Sequence, residues 1–225
     1  MKMFLTGGSG GIGSAIKECF ENNGYEVTAP AHSELDLEKT EGIEKYFREN
    51  SCEYDVFVHC AGYNNPALIK DIEFSNIEKT ARINYLSFVE IMRYLLPYMQ
   101  KKKYGRVLAI SSLYGNFGRK GRLAYVASKH ALQGVIQTYA CEYAKENIIF
   151  NTLSPGFVLT KMTRKNNSDE VIKKMAASIP MERMAEPSEI AEAVYYLCSD
   201  KNSYITGQNI ISDGGCMAEG GMHSL

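Results

Sequence analysis

Tyr125 and Lys129, in the run Ala124-Tyr125-Val126-Ala127-Ser128-Lys129-His130-Ala131, stand at i and i+4. A helix carries both on one face and aims them at one bound group. A free phenol ionises at about pH 10, so a tyrosine exchanging protons near neutrality needs a neighbouring positive charge to stabilise its phenolate. The Lys129 ammonium can do that and can also hold the hydroxyls of a nucleotide ribose. Plain packing on a helix surface would produce the same pair. What lifts it is Ser111-Ser112 at the end of an apolar run, Arg106–Ser111, because parallel sheets hold ligands outside the carboxyl ends of their strands. Ser112 is the candidate to hydrogen-bond a substrate carbonyl, with Ser111 its competitor. Asn84, in Arg82-Ile83-Asn84-Tyr85, falls inside a long apolar helical stretch, where an amide must find partners; anchoring a water that leads to Lys129 is the role weighed for it.

A proton donor for a carbonyl needs a hydride partner. Thr6-Gly7-Gly8-Ser9-Gly10-Gly11-Ile12-Gly13 follows an apolar strand and opens a helix. Glycines there permit a tight turn and close backbone approach, and the helix N-terminus faces a pyrophosphate. Ser9, Gly10, Gly11, Ile12 and Gly13, with Gly7, are therefore candidate cofactor contacts. At the end of the second strand the chain reads Pro30-Ala31-His32-Ser33, with Ala31 where an acid would bond a ribose 2′-hydroxyl. His32 and Ser33 can donate to a 2′-phosphate, which favours NADP, while the nearby Glu34 leaves NAD open.

The positioning elements follow from the pattern. Strands are predicted over Lys2–Thr6, Glu26–Ala29, Val56–Cys60, Arg106–Ser111, Ile148–Leu153 and Asn209–Ser212. Helices are predicted over Ile12–Asn23, Glu38–Glu49, Asn76–Lys102, Ala124–Glu146, Asp169–Ala177 and Ser188–Ser199. Alternating strands and helices give an α/β fold, a single doubly wound parallel sheet of the Rossmann kind with helices on both faces, in one domain over residues 1–225. Only His32-Ser33-Glu34 separates the second strand from Leu35-Asp36-Leu37, too few residues for a right-handed crossover. The connection from strand 2 to strand 3 is shortened, and a vestigial strand or a loop is expected on that edge.

Composition excludes several classes. Lys plus Arg number 25 against 26 Asp plus Glu, and the cations are scattered, so no basic footprint for nucleic acid exists. The N-terminal apolar run stops at Gly7, too short for a signal peptide or membrane span, and a cytoplasmic protein is expected. The six cysteines lack CxxC spacing, and neither disulfides nor a metal site is expected. After the 155–160 segment, Lys161, Arg164, Lys165, Lys173 and Lys174 form either a basic rim for an anionic substrate or a solvated helix face. Tyr94, Leu95, Tyr98, Ile136, Tyr139 and Tyr143 exceed what one helix face packed on a sheet requires, and a homodimer or homotetramer is expected.

These residues together resemble the short-chain dehydrogenase/reductase family over nearly the whole chain. Thr6 through Gly13 resembles its cofactor turn, satisfying both the short-form spacing and that of the extended sugar-nucleotide epimerases. Asn84, Ser112, Tyr125 and Lys129 match its catalytic tetrad in order and spacing. The resemblance implies that Asp36, with Leu37 beside it, contacts adenine, and that Cys60, Ala61 and Gly62 line the cofactor in place of Asn-Ala-Gly. Asn84, Tyr125 and Lys129 would also touch the cofactor. Asn151 through Thr160 resembles the Pro-Gly segment that covers the nicotinamide, which assigns Pro155, Gly156, Val158 and Thr160. The C-terminal third, through Asp213-Gly214-Gly215, resembles the short-form branch that includes 3-oxoacyl-(acyl-carrier-protein) reductases. Gly10 stands where many NADP-dependent members carry arginine, and His59-Cys60 replaces the usual Asn-Asn, which puts that strand's side-chain bonds in question. The resemblance implies an NAD(P)-dependent ketoreductase acting on a small carbonyl or alcohol. A sugar-nucleotide or secondary-metabolite ketoreductase and a non-catalytic NADP sensor are its rivals. The tail 216–225 is unusual and is expected to fold toward the site or a neighbouring subunit.

Overall fold

Met3 and Leu5 point to one side of the first strand and Phe4 to the other; Val56 and Val58 oppose Phe57, and Leu108 and Ile110 oppose Val107 and Ala109. Each strand is therefore apolar on both faces, as burial under two helical layers demands. The computed structural model describes residues 1–220, apart from the side chains of Met162 and Asn166, so the last five positions of the tail lie outside the described residues.

The strands are β1 (Lys2–Thr6), β2 (Glu26–Thr28), β3 (Val56–His59), β4 (Gly105–Ile110), β5 (Ile148–Pro155) and β6 (Asn209–Ser212). They form one parallel sheet in the order β2-β1-β3-β4-β5-β6. The helices are α1 (Gly11–Asn22), α2 (Thr40–Glu49), α3 (Phe74–Ala81), α4 (Ser87–Lys102), α5 (Leu123–Tyr143), α6 (Lys161–Asn166), α7 (Asp169–Ala177) and α8 (Pro187–Cys198). α1 and α8 bury Ile16, Phe20, Ile190, Val194 and Leu197 on one face. α2, α4 and α5 bury Ile43, Phe47, Phe88, Ile91, Leu132 and Ile136 on the other.

The shortened edge is a loop. Residues 30–39 form turns, β2 is the outermost strand, and α2 alone carries the chain across β1 to β3. Leu35 and Leu37 tuck into the core from this loop. The rings of Tyr46, Phe47 and Tyr54 close around Phe4 at centroid distances of 5.9, 5.3 and 5.1 Å, and Phe47 stacks on Tyr94 at 5.0 Å.

Two expectations change. The single helix expected over Asn76–Lys102 is broken by a π-turn at Arg82–Leu86 between α3 and α4. The Ser87 N–H bonds the Arg82 carbonyl, and the Ile83 carbonyl instead accepts from the His59 ring and the Ser87 hydroxyl. Side-chain groups inserted into the ladder are a recognised cause of such bulges. Part of the apolar surplus expected on α4 and α5 is spent within the chain: Leu95 and Ile136 are fully buried, and Tyr139 stacks on Phe150 at 5.1 Å, while Tyr94, Tyr98, Tyr139 and Tyr143 stay half-buried. Among the described residues, no helix is long and apolar enough to cross a membrane.

Phe4 holds the aromatic cluster that stands in for the missing edge. Phe4→Ala should cost about 3–5 kcal/mol of unfolding free energy, the range for a buried aromatic truncation, read as a lower urea midpoint. A loss of about 1 kcal/mol or less would show that the cluster closes over the gap.

Candidate active site

The turn after β1 is built to admit a ligand and little else. Gly7 has φ +72°, and a Cβ there would lie 2.6 Å from the Ala61 nitrogen. A Cβ on Gly13 would lie 2.1 Å from the Gly7 carbonyl oxygen. Only glycine lets β1, β3 and the start of α1 approach this closely. The N-terminus of α1 opens onto a cleft lined by Gly10, Gly11, Ile12 and Gly13, where its free N–H groups and dipole favour a phosphate. A nicotinamide dinucleotide fits this cradle.

Two adjoining clefts, of about 390 and 510 Å³, share Gly7, Gly10, Cys60 and Gly62 and run along the carboxyl ends of the strands. The first collects Ser9, His32, Leu37 and Ala61 from the expected residues. It adds Thr6, Pro30, Leu35, Glu38, Tyr63, Lys79 and Ile83, which sequence reasoning missed. At its end Lys79 Nζ lies 2.6 Å from a Glu38 carboxylate oxygen and 4.9 Å from the Tyr63 ring centroid. The second collects Ser112, Tyr125, Lys129, Pro155, Gly156, Val158 and Thr160, and adds Asn64, Phe157, Thr163, Asn167 and Met175. No side chain of the basic rim expected after residue 160 lines either cleft.

Ser33 and Asp36, expected to contact adenosine, lie outside both clefts. They line a depression on the edge of β2, together with Glu34, that meets the first cleft at Pro30. The Asp36 carboxylate accepts the Glu38 N–H at 2.9 Å, and that bond, with Lys39, holds its pKa below the usual carboxylate value. It is spent on the turn leading into α2. Glu34 is likewise turned back, accepting the Ala31 N–H at 2.7 Å. In a loop without strand alternation, sequence does not fix which side each residue faces.

Both serines line the second cleft, and their partners distinguish them. Ser111 is buried and its hydroxyl accepts from Gln133 Nε2 at 3.3 Å. Ser112 caps the 3-10 turn Leu113–Gly115, accepting the Tyr114 N–H at 3.2 Å, and interacts with Tyr125 across the cleft. Burial raises the Tyr125 pKa, with Ser112 pulling it down, so the phenol stands protonated, the form that donates. Lys129 is fully buried, donates to the Ile110 carbonyl at 2.7 Å, and lies 5.6 Å from the Tyr125 ring centroid. Burial lowers its pKa to about 8.

Asn84 sits behind the clefts, completely buried. Its Oδ1 accepts the Tyr63 N–H at 2.7 Å, and its Nδ2 donates to the Tyr63 carbonyl at 3.0 Å and to Ser128 Oγ at 2.8 Å. Ser128 passes its own proton to the Tyr125 carbonyl at 2.8 Å. Both amide protons are thus committed, one to the Tyr63 carbonyl and one to the Ser128 hydroxyl that in turn holds the Tyr125 carbonyl. The question raised by His59 is also answered. His59 Nε2 donates to the Ile83 carbonyl at 3.1 Å, which leaves Nδ1 to accept from Thr6 Oγ1 at 2.9 Å. Burial drops its pKa to about 3, so the ring is a neutral strut between β1, β3 and the π-turn.

The chain is similar to known proteins over most of its length. A family model described as enoyl-(acyl carrier protein) reductase matches residues 12–217. The acetoacetyl-CoA reductase of Allochromatium vinosum is 31% identical, covering 94% of this chain and 96% of its own. The 3-oxoacyl-(acyl-carrier-protein) reductase of Escherichia coli is 32% identical, covering 94% and 95%. A solved 4-hydroxyisoleucine dehydrogenase complexed with NADH superposes with a TM-score of 0.90 at 26% identity, covering 97% of this chain and 99% of that one.

Lys129 carries a measurable cost. Its folded pKa of about 8 lies below the unfolded value of 10.5, so burial destabilises the cofactor-free protein below pH 8, and stability returns as pH rises toward 10.5. The gap corresponds to about 3 kcal/mol, offset by about 1 kcal/mol for the bond to Ile110. Lys129→Met should therefore raise the thermal midpoint of the cofactor-free protein at pH 7, with the gain fading by pH 10.5. An unchanged or lower midpoint at pH 7 would contradict this.

Proposed function

The chain belongs to the short-chain dehydrogenase/reductase family, and from that premise we propose an NAD(P)-dependent ketoreductase that interconverts a carbonyl and a secondary alcohol, with Tyr125 as its general acid and base. The observation that carries this reading is the convergence of Ser112, Tyr125 and Lys129 on the cleft that the glycine turn also lines. Bound along that groove, the reduced cofactor supplies a hydride. The Ser112 hydroxyl polarises the substrate carbonyl, and the Tyr125 hydroxyl passes its proton to the carbonyl oxygen, positioned acid catalysis worth about 10²–10⁴-fold. The protonated Lys129 ammonium, held by the Ile110 carbonyl, stabilises the phenolate left behind. Asn84 and Ser128 keep the Tyr125 backbone in place.

NADP is the preferred form in this reading. Ala31 brings no carboxylate to the ribose, Glu34 is committed to its own loop, and His32 lines the groove. The acetoacetyl-CoA reductase among the relatives makes a 3-oxoacyl thioester the first substrate to try. The six free cysteines support a reducing, cytoplasmic location. We also propose self-association, through the exposed patch formed by Leu68, Ile69 and Leu123 with Val126 and Ala127. A monomeric mass at micromolar concentration in sedimentation would refute that assembly.

With acetoacetyl-CoA and NADPH, the protein should consume the reduced-nicotinamide absorbance. Tyr125→Phe should lower kcat by about 10²–10⁴-fold while leaving NADPH affinity nearly intact by fluorescence titration. Retained turnover in the variant would remove Tyr125 from its role. NADPH binding with no turnover across a panel of carbonyls would favour a cofactor sensor.

A further inference from the structure

Ser112 owes its place to its own loop, and that loop is tied across the sheet to the last strand. Asn116, just past the 3-10 turn, directs Nδ2 at the Ser112 carbonyl (3.4 Å) and the Leu113 carbonyl (3.3 Å). Its Oδ1 accepts from Asn209 Nδ2 at 2.9 Å. Asn209 Oδ1 in turn accepts from Thr152 Oγ1 at 2.9 Å and from Ser154 Oγ at 2.7 Å, two hydroxyls buried on β5.

The polarity of this chain has one solution. Backbone carbonyls only accept, so Asn116 must turn its NH₂ toward them and its oxygen toward β6. Asn209 must then present its NH₂, which leaves its oxygen for the hydroxyls. Register anchors the far end, since Thr152 and Asn209 are direct partners in the β5–β6 ladder. We propose that Asn209 and Asn116 are positioning residues, which fix the carbonyl side of Ser112 against the rigid sheet and thereby aim its hydroxyl at Tyr125 and the substrate. Neither residue lines the two clefts or touches Tyr125. The inference rests on the ketoreductase reading only for its kinetic consequences.

Asn209→Asp keeps the volume and removes the donor. Asn116 then has to rotate its NH₂ toward β6, which sets its oxygen against the Ser112 and Leu113 carbonyls and pushes the turn away. Three readouts follow. Amide exchange across residues 112–116 should accelerate, because the Tyr114 and Gly115 N–H groups bond to the hydroxyl and carbonyl of Ser112. For NADPH and acetoacetyl-CoA, kcat should fall by up to about 100-fold, the cost of a misplacement of about 1 Å, with NADPH affinity unchanged.

The third readout is the pH profile of alcohol oxidation. It should keep its shape but move its midpoint to higher pH, since Ser112 holds the Tyr125 pKa down. Asn116→Ala, in an irregular loop, should reproduce all three effects if Asn209→Asp does not fold. Unchanged exchange at 112–116 in a folded variant overturns the proposal, as does a loss of kcat with an unmoved pH midpoint. Faster exchange in a protein whose wild type reduces no carbonyl would sustain the positioning role while the ketoreductase reading fails.

Discussion

Every strand of this sheet runs the same way, and the site exists because of it. Parallel pairing sends all six carboxyl ends to one edge, so the glycine turn after β1, Cys60-Ala61-Gly62 after β3, Ser112 after β4 and Pro155-Gly156 at the end of β5 meet without any long excursion. Connections must then return over the faces, which buries both sides of the central strands and makes a core on each face unavoidable. The close approach of Gly7 to Ala61 follows from this convergence. A side chain at Gly7 would wedge β1 from β3.

The groove carries a cation in a place that penalises cations. Lys129 is enclosed, with the Ile110 carbonyl as its hydrogen-bond acceptor and no carboxylate among the influences on its pKa. A carboxylate partner would relieve that cost and would also cancel the field that a phenolate needs. The neighbouring polar groups are instead neutral and already satisfied. His59 is locked as a neutral ring between Thr6 and Ile83, and Asn84 has both amide protons engaged. Rigidity here comes from complete hydrogen bonding, and no carboxylate offsets the Lys129 charge.

Much of this was legible in the sequence, and the reason is locality. The glycine turn, the i, i+4 pair and the serine at a strand end depend on spacing within one element, which the chain writes directly. The strands and most helices fall within a residue or two of their predicted bounds. What was not legible depends on neighbours distant in sequence. Ser111 is told from Ser112 by Gln133 on α5. Asp36 and Ser33 missed the groove because the loop that replaced a strand has no alternation to fix its faces. Which part of the apolar stripe on α4 and α5 packs internally is set by aromatic rings on other elements, Phe47 against Tyr94 and Phe150 against Tyr139. The π-turn depends partly on a histidine from the neighbouring strand, whose ring shares the Ile83 carbonyl with the local Ser87 hydroxyl.

The trimmed edge at β2 bears on how this molecule behaves in a crowd. An outermost strand presents unpaired backbone groups that can template pairing with another chain, and the hazard grows with length. Here that strand is three residues long, opens on the exposed Glu26, and is followed one residue later by Pro30, which has no N–H to offer. With the chain then folding into turns, a foreign strand would find no continuous ladder to extend. Losing a strand and its crossover thus leaves a frontier too short to recruit misfolded neighbours.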